Sequence, residues 1–266
     1  MDSSRFAWLL LAAGAQAHAQ GGDSDAELAK KLANPVAALI SVPYQMNYDE
    51  KIGPARDGER WQMNFQPVVP FDFGSEWTII SRTIVPLVAQ QDIFPGAGSQ
   101  SGLGDITQSL FFAPKHTSVE GFTWAVGPAF LLPAATDELL GTDKWGGGPT
   151  GIVLMQKGPW TYGALVNHLW SFEGHHDRPD FSSTFLQPFL SYRTTKLWTY
   201  VVNAESSYDW KNDAWSVPIN LSASKLVALG KHRVSFFGGV RYWTESPESG
   251  AHDWGLRFGA TLLYPK

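Results

Sequence analysis

Residues 198–209 read WTYVVNAESSYD and residues 254–264 read WGLRFGATLLY, and in both stretches apolar and polar positions alternate. In the first, Trp198, Tyr200, Val202, Ala204 and Tyr208 share one face, while Thr199, Asn203, Glu205, Ser207 and Asp209 share the other. In the second, Trp254, Leu256, Phe258, Ala260, Leu262 and Tyr264 oppose Asp253, Arg257 and Thr261. Successive side chains of a β-strand point to opposite faces, so a period of two specifies strands whose faces meet different solvents. Strands of about 10 to 13 residues are long enough to cross a bilayer when tilted.

The same alternation extends back to Leu39. Ile40, Val42, Tyr44, Met46 and Tyr48 oppose Ser41, Gln45, Asn47 and Asp49, and Met63, Phe65 and Val69 oppose Gln62, Asn64 and Gln66. Trp215, Val217, Ile219, Leu221 and Ala223 oppose Ser216, Asn220, Ser222 and Ser224, and Val234, Phe236, Val240 and Tyr242 oppose Arg233, Ser235 and Arg241. Two runs are noisier: 77–87 carries Ser81 and Thr83 on its apolar face, and 150–156 has no clean parity.

Short turns near 72–75, 157–160, 194–196 and 229–231 alternate with longer polar links at 49–59, 89–101, 133–148, 173–181 and 244–252, while the link 114–121 is intermediate in length and the link 209–214 is short for an outer loop. Together these imply an all-β chain, a transmembrane antiparallel up-and-down barrel of about 12 strands with both ends in the periplasm. Trp77, Phe122, Trp160, Tyr192, Trp198 and Tyr264 then fall beside short turns, and Trp61, Trp170, Trp210, Trp215 and Trp254 beside long loops. Two interfacial aromatic belts result.

Composition agrees. Aromatic residues make up 14% with 12 Trp, yet mean hydropathy is only -0.16, as expected for strands facing lipid on one side and water on the other. There is no cysteine, so stability rests on packing and a closed hydrogen-bond network. A net charge of -5 provides no basic surface for nucleic acid.

The N-terminus divides into two further segments. Arg5, the apolar run from Phe6 to Ala15 and the Ala17-His18-Ala19 ending mark 1–19 as a secretory signal peptide, the run being too short for a membrane-spanning helix. In 20–36, a periplasmic segment, Ser24 and Glu27 have capping-box spacing before Leu28, Ala29 and Leu32, and Asn34-Pro35 provides a stop. One short helix is expected there, as a plug, a membrane-surface element or a tether. The barrel takes up 37–266.

An Arg on the lipid face near the midplane costs about 2 to 4 kcal/mol, so parity turns Asp49, Arg60, Arg82, Asp105, Arg193, Glu205, Arg233, Arg241, Asp253 and Arg257 inward. The expected lumen is polar and carries both signs. Lumen-lining candidates are Arg82, Glu205, Arg241, Arg257, Arg233 and Asp105, the first four as a constriction that selects what passes. The competing reading is an ion-pair web that fills a narrow barrel.

Several stretches, ELAKKLANPVAALISVPYQMNYD, ISRTIVPL, SGLGDITQSLFFAPK, FLLPAATDELLGTDKWGGGPTG, GGVRYW and WGLRFGATLLYPK, resemble the outer-membrane β-barrel family associated with the meta-pathway of phenol degradation. The resemblance implies an outer-membrane barrel of a Gram-negative cell, a porin-like transporter for small aromatic or hydrophobic molecules, and no catalytic residues. Expected partners are outer-membrane lipid, small solutes and the barrel assembly machinery, to which the alternating C-terminal strand would report.

Two other classes remain. A barrel enzyme acting on lipid would need a Ser and His in contact, but His168 and Ser171 differ by three positions and face opposite sides of a strand. A soluble exported β-sandwich that binds a ligand would bury its rings mid-strand. His175, His176 and Asp177 read as solvated loop residues rather than a metal site. Gly146-Gly147-Gly148 lacks the Lys-Ser/Thr ending of a phosphate loop. Neither a metal nor a cofactor is expected.

Overall fold

The computed structural model describes residues 24–264; the expected signal peptide and the final Pro265-Lys266 lie outside the described residues. Among the described residues there are one helix and a closed 12-stranded antiparallel barrel. Helix α1 is Asp25–Leu32. The strands are β1 (Ile40–Ile52), β2 (Gly58–Phe65 and Val68–Phe73), β3 (Trp77–Gln91), β4 (Ser99–Leu103 and Ile106–Pro114), β5 (Phe122–Leu132) and β6 (Lys144–Lys157). They continue with β7 (Trp160–Gly174), β8 (Ser182–Arg193), β9 (Trp198–Ala204 and Ser206–Asp209), β10 (Ala214–Leu229), β11 (His232–Glu245) and β12 (Asp253–Tyr264). Each pairs with its sequence neighbours, and Ile40 to Asp49 of β1 pair with Tyr264 to Gly255 of β12, which closes the cylinder and leaves no free edge.

Three strands are interrupted, for two reasons. In β2 and β9 the register is the same on both sides of the gap. Prolines, which have no N–H to give to the ladder, cause both gaps: Pro43 and Pro67 at the first, Pro188 and Pro218 at the second. In β4 the register against β3 slips by one between Leu103 and Thr107, a bulge at Gly104-Asp105. The strands also run farther out than the alternation alone indicates; β10 has 16 residues and β7 has 15. The link expected at 49–59 shrinks accordingly to the turn between Ile52 and Gly58. Gly158 and Gly230 take positive φ in the tight turns between β6 and β7 and between β10 and β11, where a two-residue reversal favours glycine.

Parity holds around the wall. Phe258 is 43% and Val202 37% exposed on the outside, whereas the Arg257 and Glu205 side chains are 6% and 20% exposed within. The rings of both expected belts lie on the outer surface, from Trp77, Trp160 and Trp198 at one rim to Trp61, Trp170 and Trp254 at the other. On the outer face Ser81, Thr83 and Gln108 satisfy one another, at 2.6 Å from Thr83 to Gln108 and 3.0 Å from Gln108 to Ser81, as polar groups in hydrocarbon require.

The interior departs from expectation in one respect. It is not polar throughout, because Ile80, Phe111, Ala125, Ile152, Leu154 and Leu165 point inward and form an apolar core with Phe185 and Phe189. This core occupies the wall from β3 to β8, and charged residues concentrate on the rest. The apolar inner face also explains the weak alternation of 150–156: Ile152 and Leu154 are buried inside, and Val153 between them is exposed outside.

Candidate functional site

The lumen is built in three layers. At the mouth beside the short turns lies α1. Its N-cap Ser24 accepts from the Glu27 amide at 3.2 Å, and acidic Asp25 and Glu27 open a helix that ends in Lys30 and Lys31, charges that suit the helix dipole. Leu28 and Ala29 are buried against Leu39, Leu226 and Leu263. Arg233 of β11 pairs with Asp25, and the Gln156 amide of β6 donates to the Lys30 carbonyl at 2.9 Å. Of the three placements open to this helix, it adopts that of a plug across the mouth.

At the opposite end, beside the longer links, the link 133–143 folds inward. Asp105 accepts from the backbone amides of Ala135 (3.3 Å) and Thr142 (2.6 Å) and from the Thr142 hydroxyl (2.8 Å). Gln90 donates to the Leu139 carbonyl at 3.1 Å, and Arg178 clamps the carbonyls of Glu138, Gly141 and Thr142. A Cβ on Gly102 would collide with Thr136, so glycine at that inward position admits the link. Above it Lys144 reaches Asp180 at 3.2 Å. Together with the Ser171 hydroxyl, that ammonium holds the Asp180 carboxyl below its ordinary range.

Between these layers the charged residues meet. Arg257 grips Glu205 in a two-pronged pair, both contacts 2.6 Å, and donates a third bond to Asn47 at 2.8 Å. Gln187 adds a donor to Glu205 at 3.3 Å. Arg241 pairs with Asp49 at 3.2 Å, lies 4.9 Å from the Trp243 ring centre, and shares Asp49 with the Trp243 N–H at 2.9 Å. Arg82 donates to Gln66 at 3.1 Å and Arg60 to Gln90 at 2.9 Å. β9 and β12 are separated by two strands, and β3 lies halfway around the barrel from β9. Arg82 is nevertheless within electrostatic range of Glu205, so side chains from opposite walls approach one another across the lumen.

Arg82, Glu205, Arg241 and Arg257 are thus brought together. Arg233 is set apart at the plug helix, and Asp105 ties down the link 133–143. Asn47, Gln66 and Gln187 complete the cluster. Alternation had put Asn47 and Gln66 on the inner face, but neutral amides carry no signal that separates a network partner from any lumen residue. His168 contacts Thr184 at 2.8 Å and lies by Trp170 and Trp210 on the outer face, whereas Ser171 contacts Asp180. Among the described residues no three His, Cys, Asp or Glu side chains converge on a point that could hold a metal.

No family model and no curated protein matches the sequence. Solved structures do resemble the fold. The COG4313 outer membrane channel from Pseudomonas putida F1 superposes with a TM-score of 0.68 over 85% of this chain and 96% of its own, at 10% identity. The outer membrane phospholipase of Salmonella typhi, a dimer with bound calcium, gives 0.52 over 91% and 99%, at 12% identity. At such identities the likeness is one of fold, and the fold, with its apolar exterior, is that of an outer-membrane barrel.

Proposed function

We propose that the chain is a channel for small solutes whose passage is set by a charged constriction of Arg82, Glu205, Arg241 and Arg257. The observation that carries this reading is the convergence of charge in the lumen, where Arg257 of β12 grips Glu205 of β9 in a two-pronged pair and Arg82 of β3 acts electrostatically on Glu205 from the opposite wall. Four guanidiniums, Arg60, Arg82, Arg241 and Arg257, accompany two carboxylates, Asp49 and Glu205, at this level. Such an imbalance favours anions, as rings of Arg or Lys do in other pores. The apolar wall beside it suits solutes with an aromatic or hydrophobic body, in keeping with the resemblance to the phenol meta-pathway barrels. The alternating β12 strand fits insertion by the barrel assembly machinery.

Single-channel recording in planar bilayers tests the constriction. Arg82→Ala and Arg241→Ala are expected to raise conductance and to weaken any preference for chloride over potassium. Unchanged conductance and unchanged preference in both variants would leave the cluster as a structural ion-pair web.

A further inference from the structure

The charged cluster is unevenly paired, and the unevenness is localised. Arg257 and Arg241 each hold a carboxylate, whereas Arg82, among the described residues, hydrogen-bonds only to the neutral amide oxygen of Gln66. Its nearest acidic group, Glu205, already takes both prongs of Arg257. A guanidinium inside a barrel with one neutral acceptor retains unused donors in a fixed fork, the geometry that carboxylates match.

Arg82 borders a cavity of about 160 Å³ between the N-terminal segment and the wall. Lys31, Asn34, Ser41, Gln66 and Arg82 contribute its polar lining, and apolar residues, Leu39 and Val68 among them, line the rest. For scale, an apolar cavity of roughly 150 Å³ accommodates benzene. Water would satisfy the polar lining but waste the apolar one. A neutral ring would fill the apolar part and leave the guanidinium without a counter-charge.

We infer that this cavity is a binding site for a small monocarboxylate with a compact apolar body, the carboxylate on Arg82 and Gln66 and the body against Leu39 and Val68. The site deepens the channel reading by naming a solute class, and rests on that reading only for its purpose.

Calorimetric titration of the full chain in detergent tests it, with benzoate, cyclohexanecarboxylate, phenol and chloride as probes. Both carboxylates are expected to bind, and phenol and chloride at least tenfold more weakly. Arg82→Gln should weaken benzoate binding at least tenfold and Gln66→Leu by a smaller factor. Lys115→Gln, at a turn outside the lumen, should leave binding unchanged. A heat-modifiable gel shift confirms that each variant is folded. Equal binding of phenol and benzoate, no binding of either carboxylate, or benzoate binding indifferent to Arg82→Gln would overturn the inference. If benzoate fails to bind while Arg82→Ala still alters ion preference, the site falls and the channel reading stands. If benzoate binds through Arg82 while conductance is insensitive to both alanine variants, the channel reading falls and the site stands.

Discussion

The two walls of this barrel enclose one lumen by different physics. From β9 through β12 to β2, the inner face is a network of guanidiniums, carboxylates and amides that largely satisfy one another, with Asn220 Oδ1 and Arg241 Nε left without a hydrogen bond. From β3 to β8 it is mostly packed hydrocarbon, with Ile80, Phe111 and Leu154 nearly inaccessible, and Arg82 and Gln187 reach from it into the network. A buried charge is costly to leave alone, so the first wall is held by complementarity and depends on every member. The second is held by contact and tolerates change in proportion to the volume lost.

The largest effect is expected where the charged wall loses its shared acceptor. Glu205→Ala strands Arg257 and removes the one carboxylate near Arg82, and breaking a buried pair in this way costs about 3–5 kcal/mol. The urea-unfolding midpoint of the refolded barrel should fall accordingly. A midpoint within error of the parent would mean the network contributes little to holding that wall.

Next comes the apolar wall, where neighbouring residues divide the two solvents. Leu154→Ala, facing in, should cost about 2–5 kcal/mol and leave ion preference unaltered. Val153, one residue away, is 51% exposed to the outside. Val153→Ala there should be mild, while Val153→Arg should cost about 2–4 kcal/mol if that position is near the midplane. The same unfolding assay reads all three, and a reversed ranking of the two alanine variants would invert the wall.

The division between the walls also sets what the sequence discloses. Where the lumen is charged, the two faces of a strand differ sharply, and Arg241, Arg257 and Glu205 announce their direction beside Val240, Phe258 and Val202. Where the lumen is apolar, both faces are hydrophobic or mixed: Ile152 and Leu154 inside resemble Val153 outside, and Ser81 and Thr83 outside resemble lumen residues. Strand number and belts were legible because they depend on turns and on rings at strand ends. The pairing of Arg257 with Glu205, the isolation of Arg82 and the tie between Asp105 and Thr142 were not, since period two gives direction but not distance across a cylinder. The bulge at Gly104-Asp105, which aims Asp105 at the link, leaves no mark in the alternation.

The smallest effect belongs to the rim. Because Lys144 and Ser171 depress the Asp180 carboxyl, the tie it makes is fully present above the ordinary carboxylate pKa of about 3.9. It is lost as pH falls through the lower, folded value. Proteolysis of the 175–181 link should therefore be steady from neutral pH down to that range and rise only below it. A rise near pH 6 would contradict the assignment of this tie to Asp180.

The imbalance of four guanidiniums over two carboxylates in the charged layer of the lumen is most directly read as a reversal potential. Measured on the full chain across a tenfold potassium chloride gradient, the potential is predicted to lie on the chloride side of zero. A potential on the potassium side would contradict the assignment of that layer as the element that decides what passes.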